Sequence, residues 1–276
     1  MKRILLIIAA VLVSAAAFSQ ETIRHPWYGV KVAFMGDSIT DPGSVPDKHD
    51  WTGKTDSHYW GWLQEWLDIK PFVYGVSGRT WEDVPNQARQ LKDEHGDDFD
   101  AITIFLGTND FANDVPIGEW YEVKPEETTA TLGYPATKFL RMKRTPYMDN
   151  KTLKGRINIA VSTLKSMFPE KQIVILTPIH RGFSTFGPQN IQPEESFPNR
   201  LGYYFSEYAD VVKEAGNVWG IPVIDLNSLS GLNPMVEEQV VYFSNPETDK
   251  LHPNGKGHER IARTLMYQLL VLPCRF

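Results

Sequence analysis

The chain has 276 residues, 42% of them apolar and 22% charged, the usage of an ordinary globular domain, which excludes disorder, collagen and coiled coil. The formal net charge of -6 argues against a nucleic-acid partner bound by neutralising phosphates. Cys274, the one cysteine, excludes a disulfide framework within the chain and a cysteine-rich zinc or iron–sulfur site.

Lys2 and Arg3 precede an apolar run from Ile4 to Ala17. That run is shorter than the roughly 20 residues a membrane-spanning helix needs. Ala17-Phe18-Ser19 then fits the small-x-small cleavage rule. The basic–apolar–small order predicts a signal peptide over residues 1–19 and a single domain over residues 20–276. No cysteine follows the run, so no lipid anchor of the bacterial lipoprotein kind is expected. The expected mature protein is soluble, periplasmic or secreted, without membrane insertion after cleavage.

Short apolar runs then alternate with amphipathic stretches, which predicts βαβ units and a mainly parallel sheet. In chain order these are a strand over Val30–Met35, a helix over Tyr59–Asp68, a strand over Pro71–Tyr74 and a helix over Trp81–Asp93. A strand over Ala101–Leu106, a helix over Thr152–Phe168 and a strand over Gln172–Thr177 follow. A helix over Arg200–Trp219, a strand over Ile221–Asp225 and a helix over Gly257–Leu270 complete the series. Phe111–Asn150, Gly182–Asn199 and Asn227–Thr248 are far longer than the usual connection of about 2–6 residues. All three follow the carboxyl ends of predicted strands, where open α/β sheets bind ligands. They either shape a substrate cleft or cover the sheet as surface insertions.

Four short blocks carry side chains capable of chemistry. The first strand ends in Gly36-Asp37-Ser38, which exposes a hydroxyl on the ligand-binding edge or is a plain turn with capping residues. The second runs into Gly75-Val76-Ser77-Gly78, whose glycines let backbone N–H groups approach a ligand. The third ends in Gly107-Thr108-Asn109-Asp110, where an amide can face an oxyanion. Near the end of the chain stands Asp249-Lys250-Leu251-His252. A carboxylate and an imidazole three apart in a turn can face the same way, leaving one ring nitrogen free as a base.

Their joint order resembles the SGNH hydrolases, also called GDSL esterases and lipases, over about Val30 to Leu270. The resemblance implies a flavodoxin-like three-layer α/β sandwich. Its central five-stranded parallel sheet has helices on both faces and long loops at the carboxyl edge. It implies Ser38 as nucleophile, His252 as base and Asp249 as its orienting group. The oxyanion hole is then the backbone N–H of Ser38, that of Gly78 and the side chain of Asn109, with Gly75 the other choice in the second block. Tyr74 stands where family members often carry Asn, which removes a supporting hydrogen bond. No metal or cofactor is implied, and the sequence holds no His-Glu-x-x-His, Walker or Gly-x-Ser-x-Gly signature.

For substrate contacts, Asp37, Trp81, His180 and Arg181 are the candidates, with Trp51, Trp120, Phe183 and Phe186 as aromatic surfaces for a sugar or acyl group. Trp60, Trp62 and Trp66 read as core. The expected activity is hydrolysis of carboxylic esters, with O-acetyl groups on a polysaccharide as the expected substrate. A lipase or thioesterase acting on longer acyl chains, an acyltransferase, and a catalytically silent carbohydrate-binding protein are the alternatives.

Overall fold

The computed structural model describes residues 24–44, 57–129, 138–272 and 274. The predicted signal peptide and Trp51 lie outside them. The chain runs through β1 (Lys31–Gly36), α1 (Tyr59–Leu67), β2 (Lys70–Val73), a 3₁₀ turn (Trp81–Asp83), α2 (Val84–His95), β3 (Ala101–Phe105) and α3 (Thr108–Ala112). It continues as β4 (Tyr121–Thr129), β5 (Lys138–Pro146), α4 (Leu153–Met167), β6 (Gln172–Leu176), β7 (Ser184–Thr185) and β8 (Ile191–Gln192). The last part is α5 (Phe205–Trp219), β9 (Val223–Ile224), α6 (Leu226–Leu229), a 3₁₀ turn (Glu237–Tyr242), β10 (Phe243–Asn245), β11 (Asp249–Pro253) and α7 (Gly255–Gln268).

The central sheet is parallel, with strand order β2-β1-β3-β6-β9. Side chains alternate across it, as the pleat requires. Ala33, Met35, Ile102, Ile104, Ile173 and Ile175 face one core, filled by α2, α4 and α5. Val32, Phe34, Phe105, Val174 and Leu176 face the other, filled by α1 and α7. Both faces are therefore dry, which is why the strands read as continuous apolar runs. The fold is the expected three-layer α/β sandwich. Its strand order reverses between β1 and β3, the position at which such sheets bind ligands beyond their carboxyl ends.

Segments near the two ends of the described chain are bonded together. His25 Nε2 and the Met266 carbonyl are 2.8 Å apart, Trp27 Nε1 donates to the Leu272 carbonyl at 2.8 Å, and Cys274 Sγ to the Pro26 carbonyl at 2.9 Å.

Three predictions change. The connection 111–150 contains a nine-residue-a-side antiparallel hairpin, β4–β5. It is solvated on both faces, so its strands lack the apolar alternation that marks a half-buried strand. The helix predicted from Arg200 starts at Phe205. Asn199 Oδ1 accepts from the backbone of Leu201 and Tyr203, holding those residues in a turn, and Glu207 caps the Tyr204 N–H at 2.7 Å. The connections after β6 and β9 contribute a second, antiparallel sheet in the order β10-β11-β7-β8.

Trp81 is not in the cleft. Its ring is fully buried among Tyr74, Val84, Phe111 and the other residues of the first core. Trp81→Ala is expected to lower the free energy of unfolding by about 3–5 kcal/mol, the range for emptying a core site of that size. A urea titration measures it, and a loss under about 1 kcal/mol would mean the ring is not a core element.

Candidate active site

β1 ends at Gly36, and the chain turns at once: the Thr40 and Asp41 N–H groups donate back to the Asp37 carbonyl at 3.0 and 2.9 Å. Asp37 itself is buried, its Oδ1 accepting from the Ile39 N–H at 3.0 Å. It shapes the turn instead of meeting substrate, which corrects the expectation. Burial pushes its carboxyl up to about 7. The turn leaves Ser38 partly exposed at the edge of the sheet.

The second loop is strapped to the first. Asp41 Oδ2 accepts from the Ser77 N–H at 2.9 Å and from Ser77 Oγ at 2.7 Å. Gly75 passes so close that a Cβ there would sit 2.6 Å from Thr40. Gly78 then adopts φ +81°, a conformation that favours glycine. Gln87 ties the two strand ends together, its Nε2 donating to the Gly36 and Tyr74 carbonyls at 3.0 and 2.8 Å. This supports the junction at which Tyr74 stands in place of Asn; the Tyr74 hydroxyl turns away to Glu94.

Asn109 lies in the first turn of α3, just beyond β3, and its Nδ2 donates to the Arg79 carbonyl at 2.9 Å. An amide carries two such N–H bonds, so the second remains for a ligand. Asp110, fully buried behind it, accepts from the Trp81 N–H and from Arg156 at 3.2 and 3.1 Å. Burial pushes its carboxyl up to about 6 against the pull of Arg156. These bonds lock the second and third blocks to one another. Among the described residues the backbone N–H groups of Ser38 and Gly78 take no partner.

His252 stands on β11, not in a turn. In a regular strand residues three apart point to opposite faces. Here Asn245 pairs with Asp249 and Phe243 with Pro253, so β11 carries extra residues opposite β10. Such a bulge re-aims side chains. The Leu251 and His252 N–H groups both donate to Asp249 Oδ1, at 3.2 and 3.0 Å. His252 Nδ1 then lies 2.9 Å from Asp249 Oδ2, and His252 Nε2 lies 2.8 Å from Ser38 Oγ. A carboxylate that accepts from Nδ1 leaves Nε2 as the lone-pair atom facing the hydroxyl, the arrangement that lets a serine lose its proton.

Ser38, Gly78, Asn109, Asp249 and His252 line one open cavity of about 690 Å³. Ser44, Ser77, Asn190, Gln192, Ser244 and Asn245 give it polar walls, and Phe186 one aromatic surface. His258 also lines it. Its Nδ1 accepts from the Tyr59 N–H at 3.2 Å, which places the ring proton on Nε2. Burial holds its pKa well below the usual histidine value.

His180 and Arg181 do not reach the cavity lining. His180 Nδ1 pairs with Glu195, a hydrogen bond that raises its pKa. Arg181 is buried over the rings of Phe111 and Phe205, donating to the Thr108 carbonyl and hydroxyl at 3.0 Å each and to Gln192. Burial pushes its pKa down to about 10. Trp120 is buried as well. Sequence reasoning missed Asp41, Gln87, Asn190, Gln192 and His258. Only His258 carried a local signal, an imidazole six residues past His252. Among the described residues no three His, Cys, Asp or Glu side chains are grouped to hold a metal ion, and no helix is long and apolar enough to cross a membrane.

Residues 34–260 match the GDSL-like lipase/acylhydrolase family. The chain belongs to that family and is a hydrolase acting on esters. Its fold is shared with a Lactobacillus plantarum protein, 25% identical, over 88% of this chain and 97% of that one, with a TM-score of 0.62. A possible lipase from Chitinophaga pinensis is 23% identical over 87% and 97% of the two chains, TM-score 0.59. A member of the lipolytic G-D-S-L family from Veillonella parvula is 14% identical over 86% and 96%, TM-score 0.51. No curated protein is significantly similar in sequence.

Proposed function

We propose that the protein is an exported serine esterase that removes O-acetyl groups from carbohydrate. The observation that carries the catalytic part is the unbroken chain Asp249–His252–Ser38, with contacts of 2.9 and 2.8 Å. Ser38 attacks the ester carbonyl as His252 Nε2 takes its proton. Asp249 holds the imidazole in the required tautomer and stabilises the imidazolium. The N–H groups of Ser38 and Gly78 and the amide of Asn109 receive the charge that develops on the carbonyl oxygen. His252 then protonates the leaving alcohol. Water attacks the acyl-enzyme by the same route in reverse.

The substrate class rests on the cavity walls. Hydroxyl and amide side chains with one exposed aromatic ring suit a polyol, whereas a long acyl chain calls for an apolar tunnel. Export rests on the basic–apolar–small order of residues 1–19; the partner is then a polysaccharide or small ester met outside the cytoplasm, without nucleic acid. Acetate release from acetylated xylan and pectin, compared with hydrolysis of p-nitrophenyl esters of graded length, tests the substrate. A preference for acyl chains of eight or more carbons would overturn it in favour of a lipase or thioesterase.

A further inference from the structure

We infer that the β7–β8 hairpin is the subsite for the leaving alcohol, a sugar ring held by Phe186 and Asn190, and that buried Arg181 orients it through Gln192; this rests on the carbohydrate-ester reading above. The placement follows from proton transfer. His252 must reach the leaving oxygen, so the alcohol lies against the imidazole. The group bordering that imidazole is Phe186, edge-on at 5.3 Å between ring centres and 45% exposed in the cavity. An exposed aromatic face there covers the C–H face of a sugar.

The hairpin is held in register with the base. Gly182 donates to the Lys250 carbonyl, Lys250 to that of Phe183 and Thr185 to that of Thr248, at 2.8, 3.0 and 2.8 Å. β7 thus extends the sheet that carries Asp249 and His252. Within the hairpin the Phe186 N–H donates to the Asn190 carbonyl at 2.9 Å, which places the ring and the amide on one tight loop.

Donor and acceptor roles then propagate outward from Arg181. A guanidinium only donates. Gln192 must therefore turn Oε1 towards Arg181, which leaves its Nε2 to donate to Asn190 Oδ1 at 2.9 Å. Asn190 has spent its oxygen, so its NH₂ faces outward, and among the described residues that group takes no partner. The wall accordingly presents donors, matched to hydroxyl or ring oxygens of a sugar and mismatched to an alkyl alcohol.

Three variants test this in the full chain. Phe186→Ala removes the face. Asn190→Asp keeps the acceptor for Gln192 and removes the outward donor. Gln192→Glu offers Asn190 an acceptor in place of a donor, so the Asn190 amide turns over. Substrates are an acetylated xylo-oligosaccharide and p-nitrophenyl acetate, which share the acetyl-enzyme and differ only in the alcohol. For each variant the ratio of kcat/KM, sugar ester to p-nitrophenyl ester, is expected to fall about three- to tenfold, the worth of one neutral hydrogen bond or small contact. The fall is expected in KM more than in kcat. An unchanged ratio, with wild type cleaving the sugar ester, overturns the subsite and leaves the carbohydrate reading standing. Wild type that turns over p-nitrophenyl acetate but no acetylated sugar overturns that reading and the subsite with it.

Discussion

Replacing Ser38 with alanine is expected to lower kcat for ester hydrolysis by about 10⁴- to 10⁶-fold, the loss seen when a nucleophile acting as part of a triad is removed. The fold should be untouched. The side chain of Ser38 bonds only to His252, and its neighbours in the turn are held by Asp37 and the backbone. The residual rate over water would come from the donors of Ser38, Gly78 and Asn109 and from binding, which the substitution leaves in place. Steady-state rates on p-nitrophenyl acetate, with circular dichroism as the control for folding, provide the measurement. Hydrolysis at the wild-type rate would remove Ser38 from the mechanism.

Asp249→Asn is expected to cost about 10³- to 10⁴-fold in kcat, through the tautomer of His252 and not through lost contact. Asp249 Oδ1 accepts from the Leu251 and His252 N–H groups. An asparagine keeps those bonds only by leaving its oxygen there, which turns its NH₂ towards His252 Nδ1. The imidazole must then accept at Nδ1 and carry its proton on Nε2, against the Ser38 hydroxyl. A base with a proton already in place cannot take another. The backbone bonds survive, so thermal unfolding should stay within a few degrees of wild type. A loss smaller than tenfold would show that Asp249 does not set the orientation of His252.

The strands of the central sheet are legible in the sequence because both faces are buried, so Phe34 and Ile175 sit in unbroken apolar runs and Ile104 in a run interrupted only by the buried Thr103. The hairpin β4–β5 is not legible, because Glu122, Lys124 and Glu126 alternate with residues that are themselves exposed. The blocks that bring Ser38, Asn109 and His252 to one edge can be placed from strand order, yet the reach of His252 depends on a bulge that no residue type announces. Trp81 and Arg181 mislead for opposite reasons. A tryptophan beside a functional loop reads as a platform, but its backbone N–H is bound to Asp110 and its ring turns into the core. An arginine at a strand's end reads as exposed, but two aromatic rings and three acceptors for its terminal nitrogens hold it inside. Partners brought together by tertiary folding, such as Thr108 and Gln192, leave no trace in local spacing.

Ser38 and His252 are 214 positions apart, and the strand that carries the imidazole is tied to β10 and β7, not to β1, the strand that leads to Ser38. Until the two meet the hydroxyl is an ordinary alcohol. A chain of this sequence is consequently inert towards esters until β11 is in place: the imidazole comes from a distant part of the polypeptide, so hydrolytic power is a property of the completed fold.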